Sequence, residues 1–355
     1  MNITTTTSFW LDDLEKDRSP SDCPIKGCGT SFIRPNAKNI PCCEKHGLEV
    51  HANTFVYYNG ENSAAKSQAR LRNFLPGGTQ FLAKHILGNK NKAESHRLGS
   101  ENSEDALSWN VFGELHRRGL IHLAYNYFTG ENIGAGGVRL FLWGLQIDFV
   151  GDKAEPWVCL KEIRDELEKG VNSFLTEPDI MLLGPDRLVV IEAKLTSGNP
   201  ICVEGDDVEG KKPTTRSGLI QRYIAGNKLW QPLLCDQDVS EEKVHSQLLR
   251  MIIFAGTMAQ RLSVDWKLVN LVSRTQWAKV GTRRRKGYDF SDPGAFIPTK
   301  VRGHFQFSSW EELYTGILSR DPRATDIAEY MQNKTVNLSK AFELQNGSPD
   351  VEAAI

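Results

Sequence analysis

Two short apolar runs separated by a turn sequence constrain the fold of this chain most. Residues 180–183 (Ile-Met-Leu-Leu) and 188–191 (Leu-Val-Val-Ile) have the length and the apolar content of buried β-strands. Between them lie residues 184–187 (Gly-Pro-Asp-Arg), which form a strong turn signal. The sequence therefore predicts a β-hairpin in the interior of a sheet.

Pairing across this hairpin brings charged residues together. With the turn centred between residues 185 and 186, Leu183 lies opposite Leu188 and Asp179 lies opposite Glu192. Opposed side chains project to the same face with β-carbons about 4.5–5.5 Å apart. Lys194 follows on that face because side chains alternate along a strand. Two carboxylates this close repel each other unless a cation lies between them. The hairpin therefore predicts a metal site, and carboxylate oxygens suit Mg²⁺ or Mn²⁺.

The sequence Pro178-Asp179, followed by Glu192-Ala193-Lys194, resembles the core motif of the PD-(D/E)xK nuclease superfamily. The resemblance covers the hairpin closely and, more loosely, the region from about residue 100 to 320. It implies metal-dependent hydrolysis of phosphodiester bonds, with Asp179 and Glu192 as ligands of catalytic Mg²⁺ (or Mn²⁺) and with Lys194 beside the attacking water. A surface hairpin with charged ends in water is the alternative, but the apolar residues 189–191 favour a buried site.

A third carboxylate is expected on the helix ahead of the sheet. Residues 100–118 begin with Ser and acidic residues and carry an inward stripe of Leu107, Val111 and Leu115 at spacings of four. Glu104 falls on this stripe, and the resemblance implies a further catalytic, metal-binding carboxylate at such a position. The alternative interpretation is a first-turn acid that stabilises the helix dipole, and the sequence does not choose between the two.

Cysteines and a histidine near the N-terminus have the spacing of a structural zinc site. The predicted ligands are two close pairs separated by a loop: Cys23, Cys28, Cys43 and His46. Pairs of this kind match closed tetrahedral Zn²⁺ sites, which contribute folding energy and not catalysis. The pattern resembles a zinc-ribbon or treble-clef-like module. Cys42 is the alternative to Cys43, His51 is a weaker substitute for His46, and a set of plain thiols is the alternative to zinc.

Composition bounds the class of protein. A chain of 355 residues with a net charge of −1 has room for a large domain and a smaller module, but it has no global basic field. Residues 1–18 lack the basic and then apolar order of a signal peptide, and no run approaches the roughly 20 apolar residues that span a membrane. The odd count of 7 cysteines argues against a disulfide framework. These features predict a cytoplasmic protein with no membrane partner, and they leave open a homo-oligomer or a partner subunit.

Local basic residues are therefore needed for any contact with nucleic acid. The densest cluster consists of four consecutive cations: Arg283, Arg284, Arg285 and Lys286. In a nuclease such residues contact phosphates without reading sequence, although runs of this kind are usually solvated. Gln247 and Arg250, on a helix predicted at residues 241–262, flank its apolar stripe and are weaker candidates for contact with phosphate or with the water of the site.

The remaining pattern predicts an α/β fold with a central mixed β-sheet flanked by helices, that is, a restriction-endonuclease-like core preceded by a small N-terminal zinc-binding module. Strand-like segments are expected at residues 120–128, 138–149, 266–274 and 304–307, and a charged helix at residues 157–173. The predicted division is an N-terminal segment with the zinc module at 1–58, a helical linker at 59–99, the nuclease-like core at 100–332 and a polar, frayed C-terminal tail at 333–355.

These features together predict a Mg²⁺-dependent nuclease, most simply a DNA endonuclease of restriction, defence or repair. A non-catalytic nucleic-acid-binding protein on a degenerate nuclease fold is the first alternative, and the intact Asp/Glu/Lys set argues against it. A hydrolase of small phosphoesters is the second alternative, and the basic loops argue for a polymeric substrate. The sequence does not distinguish DNA from RNA.

Overall fold

The computed structural model describes the chain in separate stretches: residue 31 and residues 40–43, 48–51, 54–57, 71–87, 98–169, 175–196, 246–274, 297, 299–318, 321–336 and 339–342. Three short antiparallel strands come first: β1 (Cys42–Cys43), β2 (Leu48–His51) and β3 (Thr54–Tyr57). This small sheet docks on the segment that leads into the following helix. The Tyr57 N–H donates to the Gly99 carbonyl at 2.7 Å, and the Glu101 N–H donates to the Phe55 carbonyl at 2.8 Å.

A seven-stranded mixed sheet forms the centre of the fold. Its strands are β4 (Arg139–Leu142), β5 (Leu145–Asp148), β6 (Lys153–Pro156), β7 (Ile180–Leu183), β8 (Arg187–Lys194), β9 (Asp265–Val272) and β10 (Phe305–Ser309). They lie in the order β10-β9-β8-β7-β4-β5-β6, where β8, β9 and β10 are parallel and every other pair is antiparallel. Strand β8 is therefore the point at which the sheet changes from parallel to antiparallel pairing.

Helices cover both faces of this sheet. They are α1 (Thr79–Phe81, continuing as the π-helix Leu82–Ile86), α2 (Glu104–Ser108, the π-helix Trp109–Gly113 and Glu114–Arg117), α3 (Ile121–Thr129), α4 (Val158–Leu167), α5 (Ser246–Leu262), α6 (Trp310–Leu313, continuing as the π-helix Tyr314–Leu318) and α7 (Thr325–Asn333). Short 3₁₀-helices occupy Leu71–Asn73, Pro76–Gly78, Thr299–His304 and Pro322–Ala324. The predicted α/β class, with a mixed sheet flanked by helices, is confirmed.

Alternation along β8 divides the core into two layers. Val189, Ile191 and Ala193 pack in the layer that contains α1, α2, α3, α6 and α7. Leu188 and Val190 pack in the opposite layer, with α4 and α5. Because both faces of β8 are covered, the strand is apolar on both sides from Leu188 to Ile191.

The predicted hairpin is present in the predicted register. Leu183 pairs with Leu188 and Ile180 pairs with Ile191, and the Gly184 N–H closes the turn by donating to the Arg187 carbonyl at 3.0 Å. The predicted inward stripe of α2 is also confirmed, since Leu107, Val111 and Leu115 are fully buried.

The strand expected at residues 120–128 is wrong, because this segment is the helix α3. Its buried residues are Ile121, Ala124, Tyr125 and Phe128, spaced at three and four residues as on one face of a helix. Gly130 ends the helix at φ 74°, and its N–H donates to the Asn126 carbonyl at 2.8 Å.

The segment 138–149 is not one strand but the hairpin β4–β5. Trp143 and Gly144 form its turn with positive φ angles of 53° and 75°, which suits the twist of a tight hairpin.

Part of the predicted tail packs against the core. Strands β11 (Thr335–Val336) and β12 (Ser339–Lys340) form a small hairpin, and Val336, Ala341 and Phe342 are buried. The expectation of a frayed tail is therefore wrong for residues 334–336 and 339–342, because their apolar side chains complete the layer around α7.

Candidate active site

The candidate site lies at the edge of the sheet where β8 ends and β7 begins. Because β7 and β8 are antiparallel, Asp179, which immediately precedes β7, meets Glu192 and Lys194 at the end of β8. Glu192 and Lys194 alternate with Ala193 and follow Leu188 and Val190 onto the face covered by α5. The register thus brings together the three charged residues that the sequence predicts at one site.

Backbone hydrogen bonds fix Asp179 in this position. Its Oδ2 accepts a hydrogen bond from the Ala193 N–H at 2.9 Å. Its carbonyl accepts another from the N–H of Trp143, in the β4–β5 turn, at 3.2 Å. The carboxylate is therefore held against the backbone of β8 between Glu192 and Lys194.

Glu192 is the most deeply buried member of the site, with a side chain that is 0% exposed. Its Oε1 accepts hydrogen bonds from the Lys194 ammonium and, at 2.5 Å, from the Gln247 side-chain amide of α5. Its Oε2 is buried and has no hydrogen-bond partner among the described residues. A buried carboxylate oxygen without a partner is costly, so the site has capacity for a further cation or donor.

Asn270 also belongs to this environment, and sequence reasoning missed it. It lies on β9 directly beside Glu192 in the parallel register and is fully buried. Its neighbour Leu268 packs in the layer of α5, so Asn270 points to the same face as Glu192. The available signal was a single amide residue inside the apolar run that ends β9.

Glu104 approaches the same edge from the opposite layer. It is the first residue of α2, after the N-cap Ser103, whose hydroxyl accepts a hydrogen bond from the Ala106 N–H at 3.1 Å. Glu104 Oε1 accepts hydrogen bonds from the N–H groups of Leu195 at 2.7 Å and Thr196 at 3.2 Å. Glu104 is therefore an acid in the first turn of α2, the position from which it would stabilise the helix dipole. It also lies at the end of β8, the position expected of a further carboxylate at the metal site.

The electrostatics of the site favour the protonated, neutral form of one of its carboxylic acids, Asp179. Burial, and next the charge of Glu192, raise the pKa of Asp179 to about 8, although the residue as a whole is partly exposed. Burial lowers the pKa of Lys194, but the charges of Glu192, Asp179 and Glu104 outweigh burial and leave that pKa above its usual value. Lys194 is therefore cationic at neutral pH, and Asp179 holds a proton there unless another cation is close.

A divalent cation fits the chemistry of these residues. Asp179 and Glu192 are oxygen donors of the kind that Mg²⁺ and Mn²⁺ prefer, Glu192 Oε2 is available, and further positive charge would relieve the raised pKa of Asp179. With the side chains as described, the Lys194 ammonium is the cation beside Glu192. In this arrangement no three His, Cys, Asp or Glu side chains of the described residues converge as an ion would require.

Most of the other predicted site residues lie outside the described part of the chain: Cys23, Cys28, His46, Arg283, Arg284, Arg285 and Lys286. Cys43 is buried on β1, opposite Leu48, and Cys42 beside it is half-buried. The zinc site and the basic cluster therefore remain predictions. Of the two weaker candidates on α5, Gln247 reaches Glu192 at the site, whereas Arg250 contacts Glu168 and Thr176.

Comparisons of this chain with protein-family models, with curated proteins and with solved structures return no match. Within the part of the chain that the structure describes, no helix is both long and apolar enough to cross a lipid bilayer.

Proposed function

We propose that this protein is a metal-dependent nuclease that hydrolyses phosphodiester bonds, with DNA as the favoured substrate and internal cleavage as the favoured mode. The observation that carries the proposal is the convergence of Asp179, Glu192 and Lys194 on one face at the end of β8, with Glu104 at the same edge. Two carboxylates and a lysine at the carboxyl end of a parallel strand form a set suited to a divalent ion and a phosphate.

In this proposal Asp179 and Glu192, with Glu104 as a further ligand, hold Mg²⁺ or Mn²⁺. Such an ion, when bound, supplies charge that polarises the scissile phosphate and assists ionisation of the attacking water. Lys194 stays protonated, because its pKa is raised. It therefore stabilises negative charge on the phosphate and orients the water, and it does not act as the base. Gln247 keeps the Glu192 carboxylate in place through its amide.

The arrangement of the acids also leads us to propose that the activity depends on metal. Without an added cation, the unfavourable charge on Asp179 is relieved by a proton. Asp179 would have to be ionised to hold a divalent ion, so loading of the site would release that proton. The site is therefore proposed to be inactive in the presence of chelator.

The experiment is a cleavage assay with supercoiled plasmid, linear duplex, single-stranded DNA and RNA, each with Mg²⁺, Mn²⁺ or EDTA. Nicked or linear plasmid in the presence of metal is expected. Glu192→Gln and Lys194→Met are expected to reduce the rate on the order of 100-fold or more, as removal of a group that stabilises the transition state does. The matched control is Asp186→Asn, an exposed acid in the turn of the same hairpin, which should cleave like the parent.

Two outcomes would contradict the proposal. If Glu192→Gln cleaves like the parent, with contaminating nuclease excluded, this site does not catalyse the cleavage. Tight binding of nucleic acid without metal-dependent cleavage would favour a non-catalytic binding protein. Comparison of plasmid with a nitrophenyl phosphate ester separates a nuclease from a hydrolase of small phosphoesters.

A further inference from the structure

Thr176, three residues before Asp179, has all of its polar groups engaged by residues of α4, of its C-cap and of α5. Its N–H donates to both carboxylate oxygens of Glu168 at 2.9 and 3.0 Å, and its hydroxyl donates to Glu168 Oε1 at 2.5 Å. Arg250 donates to that hydroxyl at 2.7 Å, and Arg164 donates to the Thr176 carbonyl at 2.6 Å. We call the set of Arg164, Glu168 and Arg250 around Thr176 the Thr176 clamp.

The Thr176 clamp is buried and charged. The side chains of Glu168 and Arg250 are 0% and 8% exposed, and their closest atoms are 3.2 Å apart. Buried ion pairs are weak contributors to stability compared with apolar residues of the same volume. Their best-attested use is to fix one particular arrangement of the parts that they join, and here those parts are α4, α5 and the segment that leads into Asp179.

Helix α5 connects the clamp to the candidate site. Gln247 and Arg250 are three residues apart, so they lie on the same side of the helix, one turn from each other. Gln247 holds the Glu192 carboxylate, and Arg250 holds Thr176. Three residues span at most about 10–11 Å of chain between Thr176 and Asp179. One turn of α5 therefore contacts both the end of β8 and the segment that leads into Asp179.

We infer that Arg250, acting through Thr176, is a positioning residue that fixes the Asp179 carboxylate relative to Glu192 for the binding of a divalent cation. The inference rests on the proposed function. Among the described residues, Arg250 donates hydrogen bonds to Glu168 and Thr176, so it acts on Asp179 through the segment that contains Thr176. Partners that orient metal ligands typically alter metal affinity 10–100-fold when they are removed.

The test is Mn²⁺ binding measured by titration calorimetry, at a temperature where thermal unfolding shows each variant to be folded. Thr176→Val removes the hydroxyl and keeps the N–H and the carbonyl, and Arg250→Lys keeps the charge but loses the planar fork. Both should raise the Kd for Mn²⁺ on the order of 10-fold or more. Thr176→Ser keeps the hydroxyl and should bind Mn²⁺ with the affinity of the parent.

Arg261 offers a matched control on the same helix. It joins α5 to α4 through Glu162 at 3.2 Å and Glu166 at 2.9 Å, but at the far end of the helix from the clamp. Arg261→Gln should therefore leave Mn²⁺ affinity unchanged. If Thr176→Val and Arg250→Lys bind Mn²⁺ like the parent, the clamp is only structural and the inference is overturned. If the parent itself binds no Mn²⁺, the proposed function fails and the inference fails with it.

Discussion

The backbone N–H of Ala193 donates a 2.9 Å hydrogen bond to Asp179 Oδ2, so a carboxylate at the start of one hairpin strand is held by the backbone at the end of the other. This contact places Asp179 between the two residues that flank Ala193, namely Glu192 and Lys194. Proximity of the two acids is therefore built into the pairing of β7 with β8, and its electrostatic cost is measurable in the metal-free protein.

Substitution of Asp179 by Asn should change how stability depends on pH in the presence of EDTA. The folded pKa is raised from 3.8 to about 8, so the folded protein keeps a proton that the unfolded chain has lost. Stability from this group is full below about pH 4 and is lost as pH rises through 8. Asp179→Asn should remove that decline and raise the free energy of unfolding at pH 8 by about 2 kcal/mol, which is well below the full value of about 1.4 kcal/mol per pKa unit because Asp179 is partly exposed and solvent screens its charge.

Urea unfolding between pH 5 and 9 measures this effect. Asp186→Asn, at the exposed end of the same hairpin, should retain the pH dependence of the parent. A parent stability that stays level or increases with pH across this window, together with no difference for Asp179→Asn, would contradict the raised pKa.

Glu104 accepts hydrogen bonds from the backbone at the end of β8, which we call its capping role. Two substitutions should separate this role from its proposed role as a metal ligand. Glu104→Gln keeps an oxygen acceptor for the N–H groups of Leu195 and Thr196, whereas Glu104→Ala leaves both without it. The Ala variant should lose about 1–3 kcal/mol of stability, as expected when buried donors lose their acceptor. Both variants should bind Mn²⁺ more weakly than the parent. Equal Mn²⁺ affinity of parent and Glu104→Gln would restrict Glu104 to capping.

Replacement of Gln247 by Leu should lower metal-dependent cleavage with little change in stability. The amide is a hydrogen-bond donor to Glu192 Oε1 from outside the hairpin, and without it that oxygen keeps only its hydrogen bond from Lys194. A decrease of about 10-fold or more in the cleavage rate is expected. Gln260→Leu, an exposed amide on the same helix, is the control, and equal rates for the two variants would show that Gln247 is dispensable.

Zinc analysis tests the predicted N-terminal module. About one Zn²⁺ per chain is expected, retained after mild chelation that removes Mg²⁺. Cys43→Ser should lose the ion and lower the Tm, whereas Cys42→Ser should keep it, because Cys43 has the usual two-residue gap to His46. The reverse pattern would assign the role to Cys42. Purified parent without zinc would leave these cysteines as plain thiols.

Local patterns in the sequence predicted the part of the site that is local in the chain. The register of Leu183 with Leu188 follows from one turn and two apolar runs, and it carries Asp179 towards Glu192. Glu104 could be placed on an inward stripe, but its partners Leu195 and Thr196 are about 90 residues away, at separations of 91 and 92. Only tertiary packing brings this carboxylate to the N–H groups that follow β8.

Other features of the structure could not be predicted from the sequence, each for a different physical reason. Asn270 becomes a neighbour of Glu192 only through the parallel pairing of β8 with β9. The helix α3 was interpreted as a strand because its apolar content outweighed its spacing, although Ile121, Ala124, Tyr125 and Phe128 follow the helical period. Arg250 was expected near phosphate, and its buried partners Glu168 and Thr176 give it a different place.

The change from parallel to antiparallel pairing at β8 has a consequence for the order in which the site is assembled. Asp179, Glu192 and Lys194 belong to one hairpin, a unit that forms in about 1–10 μs. Glu104 and the strand β9 join across long stretches of chain, and contacts of that range slow folding because the loop must close first. The contacts within the hairpin therefore form faster than the long-range contacts of Glu104 and β9, but a hairpin alone is at best marginally stable in water. Glu104 reaches the edge that carries Asp179 and Glu192 only when α2 packs at the end of β8.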